Sequence, residues 1–270
     1  MGHLTLRGVR IAVAGRTLLG EFDLDILPGE FVAVVGPNGV GKTTLLRAVA
    51  GFEQPSAGQI ALDGVELGKL TPHRRAQLVA ALGADAEAPN GMTVREVALS
   101  GRFAQRPWWD WTRGDDDVQA ADAALARVDL GDKADRAFDT LSSGERQRAW
   151  IALALAQGAR ALLLDEPTSH LDAHYALDVL TLLRGIAREG TTVVAVLHDL
   201  NEAAAFADRI ALLGDGQLLL YDAPEAALDP EVLRRAYGVE FARVLVDGEP
   251  RVFARSTSGR PLGTAARNAS

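Results

Sequence analysis

The sequence predicts an α/β protein with a mostly parallel β-sheet, and three observations support this. A valine-rich stretch, Phe31–Val35, runs directly into a glycine-rich turn and then into a helix-like segment. Two further apolar stretches, residues 160–166 and 191–197, have the length and composition of buried parallel strands. Helical periodicity lies between these stretches. Strands that alternate with helices form a parallel sheet covered on both faces.

The composition is that of a soluble globular protein. The chain has 270 residues, 48% apolar and 24% charged, which allows one large domain with a subdomain. A formal charge of −8 argues against broad attraction to nucleic acid, so we expect no nucleic-acid partner. No apolar run approaches the roughly 20 residues of a membrane span, and the N-terminus lacks the apolar core of a signal peptide. With no cysteine, no disulfide framework is possible.

The remaining elements follow in chain order. Residues 4–13 and 18–26 alternate loosely and predict paired strands with a turn at 14–16, and residues 56–64 predict another strand. Residues 94–99, 117–128 and 145–156 predict three helices. The tail after about residue 255 is rich in Gly, Ser, Arg and Ala, and we expect it to be flexible.

The glycine-rich turn matches the P-loop pattern at all its fixed positions. It comprises Gly36, Pro37, Asn38, Gly39, Val40, Gly41, Lys42 and Thr43, with Thr44 next in the helix. Backbone N–H groups of such a turn converge on phosphate oxygens, and the helix N-terminus adds partial positive charge there. Lys42 is predicted to reach the β and γ phosphates, and the Thr43 hydroxyl to bind Mg²⁺. The sequence therefore predicts that the chain binds a nucleoside triphosphate.

Two acids end the strand at 160–166, and a histidine follows the strand at 191–197. Such strand ends lie at the edge of the sheet where ligands bind. We expect Asp165 to hold Mg²⁺ and Glu166 to orient the attacking water or take its proton. His198 is predicted to sense the γ-phosphate and hold the water in line, although a lone histidine is more often structural.

A third motif opens the predicted helix at 145–156. Ser142, followed three residues later by Glu145, is a capping-box pattern, with Ser143 and Gly144 between them. Taken alone, a well-capped helix is the favoured interpretation. An exposed helix N-terminus with hydroxyl groups can also bind a γ-phosphate, so both interpretations stay open.

In chain order these motifs are the P-loop, the Ser142–Glu145 segment, the two acids, Ser169-His170-Leu171-Asp172 and His198. This order resembles that of the nucleotide-binding subunit of an ABC transporter, over roughly residues 4–240. The resemblance implies a P-loop NTPase (RecA-like) core, an N-terminal antiparallel β subdomain and an α-helical subdomain inserted at 84–158. It places the ABC ATPase domain at residues 1–254, before a tail at 255–270. It also implies a homodimer that sandwiches each ATP between the P-loop of one copy and the Ser142–Glu145 segment of the other. Asp172 would then communicate across that interface.

A narrower likeness points to the importers of iron–siderophore, haem and vitamin B12, carried by residues 91–96, 101–102, 145–152 and 197–201. It implies an ATP hydrolase, peripheral on the cytoplasmic face of the inner membrane. Its partners would be integral-membrane permease subunits and, indirectly, an extracytoplasmic substrate-binding protein. Siderophore iron is the favoured cargo. The alternatives are a soluble ABC protein acting on ribosomes or DNA, the ATPase of another importer or an exporter, and a regulatory protein that binds ATP without hydrolysing it.

The chain departs from the family pattern at several positions. Ala84 stands where most members have a glutamine that links the Mg²⁺ shell to the membrane partner, so we expect weaker Mg²⁺ sensing. Val13 stands where an aromatic residue often stacks on adenine, which implies looser base selectivity. Ser143 replaces a glycine and keeps its backbone N–H. A tryptophan cluster at 108–111 fits either a partner surface or local packing: Trp108, Trp109 and Trp111.

Overall fold

The computed structural model describes residues 2–83, 88, 91–106 and 114–255. The strands are β1 (Leu4–Val13), β2 (Arg16–Ile26), β3 (Phe31–Val35), β4 (Ala57–Leu62), β5 (Val65–Glu66), β6 (Val79–Leu82), β7 (Ala161–Asp165), β8 (Thr192–Val196), β9 (Arg209–Gly214), β10 (Gln217–Asp222), β11 (Phe241–Val246) and β12 (Glu249–Ala254). The α-helices are α1 (Lys42–Val49), α2 (Pro72–Ala76), α3 (Val94–Ser100), α4 (Asp115–Arg127), α5 (Ser143–Ala156), α6 (Ala173–Arg188), α7 (Leu200–Phe206), α8 (Pro224–Ala227) and α9 (Pro230–Tyr237).

A six-stranded sheet with the order β10-β9-β3-β8-β7-β6 forms the centre of the fold. All its pairings are parallel except the one between β10 and β9. Every residue of β3 and β8 is buried, because these strands are covered on both faces. The predicted mostly parallel sheet with buried apolar strands is therefore confirmed.

The two faces of this sheet belong to different apolar cores. Along β3, Val32 and Val34 pack with the N-terminal sheet and α1, whereas Ala33 and Val35 pack with the helices on the other side. This alternation follows from the two-residue period of a strand. Because β3 and β7 run in the same direction, the P-loop and the acids after β7 lie at one edge of the sheet.

An antiparallel sheet with the order β2-β1-β4-β5 contains the N-terminal strands. The turn between β1 and β2 is shorter than predicted, since Val13 pairs directly with Arg16 across two residues. Those residues, Ala14 and Gly15, both have positive φ, 50° and 80°. Two left-handed residues give a tight hairpin whose twist matches its strands, so β2 begins at Arg16 and not at residue 18.

The helical region between β6 and β7 contains α3, α4 and α5, which pack against one another. Their facing residues are apolar and buried: Val97, Leu125 and Ile151. The helices predicted at 94–99, 117–128 and 145–156 are all present. The latter two begin two residues earlier than predicted, because Gly114 and Ser142 occupy the N-cap positions. No helix in the described ranges is both long enough and apolar enough to span a membrane.

A C-terminal unit of α8, α9 and the β11–β12 hairpin was not anticipated from the sequence. The hairpin is attached to α7, because the Asn201 side chain exchanges two hydrogen bonds with the backbone of Val252, at 3.1 and 2.9 Å. Ala84, the cluster of Trp108, Trp109 and Trp111, and the tail at 256–270 lie outside the described residues.

Candidate nucleotide-binding site

The P-loop joins β3 to α1 through backbone conformations that require glycine. Gly36 has φ +149°, and a Cβ at this position would lie 2.4 Å from the carbonyl oxygen of Leu213. Gly41 has φ +111° and is the N-cap residue of α1. A side chain at either position would strain the turn that aims the N–H groups of the first helical turn outward.

Lys42 is the one buried cation in the described part of the chain, with 6% of its surface exposed. Its ammonium group donates hydrogen bonds to the carbonyls of Gly36 at 2.8 Å and Pro37 at 3.1 Å. Burial lowers the pKa of Lys42, and the nearby Glu166 and Asp165 oppose that effect. The lysine is therefore held inside the P-loop at the position predicted for phosphate binding.

Asp165 and Thr43 meet at the edge of the sheet, with the Thr43 hydroxyl 3.2 Å from Oδ1 of Asp165. Burial raises the pKa of Asp165, and the neighbouring Glu166 raises it further. Mg²⁺ binds one or two protein oxygens and completes its shell with water and substrate phosphates. One carboxylate and one hydroxyl beside a phosphate-binding turn fit that requirement, and a bound cation would favour the ionised form of Asp165.

Glu166 and His198 form an ion-pair geometry next to the P-loop. Nε2 of His198 lies 2.6 Å from Oε1 of Glu166. Glu166 has φ +53°, unusual for a residue with a long side chain. Its carbonyl accepts hydrogen bonds from the Ser169 amide and hydroxyl, which stabilise the bend after β7. Strained residues at the end of a core strand are characteristic of functional sites.

These residues surround an open cleft of about 670 Å³. The lining residues are Val13, Arg16, Leu18, Asn38, Gly39, Gly41, Lys42, Thr43, Thr44, Glu166 and His198. Most of them were predicted from the sequence. Arg16 and Leu18 were not predicted, although their position beside Val13 in a hairpin could have indicated them. The predicted residues Gly36, Pro37, Val40 and Asp165 are in the same loop and strand end but do not contribute to the lining.

The Ser142–Glu145 segment lies elsewhere in the chain. The Ser142 hydroxyl accepts from the Glu145 amide at 3.3 Å, and the Glu145 carboxylate accepts from the Ser142 amide at 2.8 Å, so the capping box is present. Glu145 also pairs with Lys133 at 2.6 Å. The Lys133 ammonium and then the Ser142 amide lower the pKa of Glu145 to about 2. This glutamate therefore has a structural role at the start of α5.

Two further features lie close to that helix start. Gly144 is buried against Tyr175, since a Cβ on Gly144 would meet the tyrosine ring at 2.7 Å. Asp172 is the N-cap of α6 and accepts from the Tyr175 amide at 3.1 Å. Among the described residues, the P-loop cleft is lined by no member of the group Ser142, Ser143, Gly144, Glu145 and Asp172. One copy thus brings together only part of the predicted site.

The sequence profile of the ABC transporter family matches residues 19–169, more than half of the chain and including both the P-loop and the Ser142–Glu145 segment. The chain belongs to the ABC transporter family. The predicted resemblance and the predicted P-loop NTPase fold with its antiparallel N-terminal strands are therefore confirmed. Membership identifies the chain as an ATPase whose hydrolysis is coupled to transport.

Curated relatives of this ABC ATPase cover nearly its whole length. It is 40% identical to the hemin import ATP-binding protein HmuV of Gloeobacter violaceus, over 92% of this chain and 91% of the relative. It is 37% identical to the ferric enterobactin transport ATP-binding protein FepC of Escherichia coli, over 95% and 92%. A solved ABC transporter assigned to the metal-chelate type, in an inward-facing conformation, superposes with a TM-score of 0.83 at 25% identity, over 96% of this chain and 99% of that one.

Proposed function

We propose that this ABC ATPase powers the import of an iron chelate through a separate membrane permease. The observation that carries the proposal is the contact of Glu166 with His198 beside the P-loop, an arrangement suited to hydrolysis and not only to binding. Two relatives that match this chain over more than nine-tenths of its length are named for hemin import and for ferric enterobactin transport. We propose siderophore iron as the cargo, with haem or cobalamin as the alternative classes.

Phosphate binding is assigned to the P-loop. Lys42 would exchange the carbonyls of Gly36 and Pro37 for phosphate oxygens, and the amides at the start of α1 would bind the same group. Thr43 and Asp165 are the side chains that would hold Mg²⁺, which when bound neutralises charge on the phosphates. Because the cleft is open to solvent on one side, a nucleotide bound to a single copy would have its γ-phosphate only partly surrounded by protein.

Hydrolysis is assigned to Glu166 and His198. Glu166 would orient the attacking water or accept its proton, and His198 would hold Glu166 and the γ-phosphate in line. Positioning is the larger part of catalysis in phosphoryl transfer. The regulatory alternative, in which ATP is bound without hydrolysis, gives no reason for a carboxylate and an imidazole at hydrogen-bonding distance beside the P-loop.

A second copy would complete the site. Ser142 and Ser143 are exposed at the N-terminus of α5, with the buried Gly144 directly after them, and all three lie outside the cleft of their own chain. We propose that they contact the γ-phosphate bound by a partner copy, with Asp172 at the same interface. A bacterial cassette of this family has been solved as a dimer, which supports a homodimer here.

Closure of that dimer would drive the permease. We propose that the chain works as a peripheral protein on the cytoplasmic face of the inner membrane, with permease subunits and, indirectly, an extracytoplasmic substrate-binding protein. The soluble alternative, acting on ribosomes or DNA, is disfavoured by the near full-length match to import ATPases. ATP binding would close the dimer and hydrolysis would reopen it, a domain motion of the kind by which many enzymes control access to their active sites.

Affinity purification tests this proposal. Tagged Glu166→Gln protein is recovered from detergent-solubilised membranes with Mg-ATP, and wild type with ADP serves as the matched control. Recovery of a polytopic permease is the expected result, and uptake assays with radiolabelled ferric siderophore and with haem in a strain lacking this chain then identify the cargo. Recovery of ribosomes or nucleic acid without a permease would contradict the importer assignment.

A further inference from the structure

Arg16 lines the proposed nucleotide cleft although it lies in β2, outside the P-loop, and it has no role in the phosphate or Mg²⁺ contacts described above. It lines the cleft together with Val13 and Leu18. Val13 and Arg16 form the closing pair of the β1–β2 hairpin, so their side chains lie on the same face of the sheet. Val13 is 44% exposed. An aliphatic side chain and a guanidinium group thus flank one place in the cleft.

Within the described residues, the guanidinium group of Arg16 forms neither an ion pair nor a hydrogen bond. Two other arginines on the same sheet do have carboxylate partners. Arg7 pairs with Asp25, and Arg10 pairs with Glu21 at 3.4 Å. A cation left unpaired at the mouth of a cleft, in a chain with net charge −8, is available for a ligand.

We infer that Arg16 stacks its guanidinium plane on the nucleotide base, which rests on Val13 and Leu18. The inference depends on the proposed function in one respect, that a nucleoside triphosphate occupies this cleft. A planar, weakly hydrated guanidinium packs well on an aromatic face, and the attraction of its charge for the π system adds to the contact. Arg16 thereby supplies the stacking surface that Val13 lacks.

The tight turn of the hairpin places Val13 and Arg16 next to each other. Ala14 and Gly15 hold the turn in a tight left-handed conformation, which fixes the Cα positions of Val13 and Arg16 relative to each other. Stacking contacts the face of the base and does not distinguish the groups on its edge. The affinities for adenine and for guanine nucleotides should therefore depend on Arg16 to the same degree.

The test is isothermal titration of ATP, GTP and inorganic tripolyphosphate in EDTA, which prevents hydrolysis. Arg16→Ala should weaken the binding of ATP and GTP about three- to tenfold and leave the affinity for tripolyphosphate unchanged. Arg10→Ala, which removes a paired arginine from the same sheet, should change none of the three. Adding Val13→Tyr to Arg16→Ala should restore nucleotide affinity, because an aromatic ring replaces the lost stacking surface.

Three results would overturn the inference. Unchanged nucleotide affinity in Arg16→Ala would show that the residue does not contact the ligand. An equal loss for tripolyphosphate, or full retention of affinity in Arg16→Lys, would show that Arg16 acts as a charge on phosphate and not as a stacking plane. Absence of nucleotide binding by the wild-type protein would instead refute the assignment of the cleft itself. Thermal unfolding of each variant verifies that the fold is intact.

Discussion

Replacing Glu145 by glutamine tests whether this glutamate, at the start of α5, stabilises the fold. The glutamate accepts from Lys133 at 2.6 Å and from the Ser142 amide at 2.8 Å. Its pKa falls from an ordinary 4.5 to about 2, chiefly because of Lys133. At about 1.4 kcal/mol per pKa unit, the two contacts together stabilise the folded state by about 3 kcal/mol. The side chain is 17% exposed, so solvent screening reduces this contribution only in part.

Glutamine keeps an acceptor for the Ser142 amide and loses the charge pair with Lys133. We therefore expect Glu145→Ala to lower the free energy of unfolding by about 3 kcal/mol at pH 7 and Glu145→Gln to lower it by roughly half as much. Because the folded-state pKa is lower than the unfolded one, the stabilisation is complete above about pH 4.5 and is lost as the pH falls through about 2. The difference between wild type and variant must shrink over that window.

Urea denaturation at several pH values between 7 and 3 measures both effects. Glu231→Gln is the matched control, since Glu231 pairs with Arg234 on the exposed surface of α9 and its loss should change stability little. A Glu145→Gln protein as stable as wild type at pH 7, or a stability difference that does not decrease with acid, would refute this account of α5.

Three further predictions follow from single contacts. Glu166→Gln should reduce ATP hydrolysis about 100- to 10,000-fold, as phosphate release measures, while the affinity for ATP is retained; equal loss of binding would contradict the role assigned to Glu166. Gly36→Ala places a Cβ 2.4 Å from the Leu213 carbonyl, so we expect at least about tenfold weaker ATP binding by titration, and normal affinity would show that the turn can relax. Asn201→Ala removes both hydrogen bonds to Val252, so amides of β12 should exchange faster in hydrogen–deuterium exchange while α1 stays protected; unchanged β12 exchange would contradict the attachment.

The centre of the site could be predicted because its residues form contiguous motifs. The spacing of glycines before Lys42 specifies a turn between strand and helix, and the two acids at the end of an apolar stretch specify a strand end. The capping box at Ser142 and Glu145 is equally local. In each case, the chemistry depends on backbone geometry within a few residues, which the sequence encodes directly.

The contacts that could not be predicted connect residues of different structural elements. Lys133 pairs with Glu145 only because the short segment between α4 and α5 folds back on the helix start. Asn201 contacts Val252 across 51 residues. The hairpin itself had a local signal, since Asp247-Gly248 favours a tight turn between apolar strands. Its docking on α7 depends on tertiary packing, which no periodicity reveals.

Cross-linking tests whether the P-loop of one copy faces the Ser142–Glu145 segment of another. The chain has no cysteine, so Asn38→Cys with Ser143→Cys in the Glu166→Gln background introduces the only two thiols. With Mg-ATP and a short bis-maleimide, we expect covalent dimers that require both cysteines and are absent with ADP. Exclusively monomeric product with Mg-ATP, or the same dimer yield from either single-cysteine variant, would contradict that arrangement.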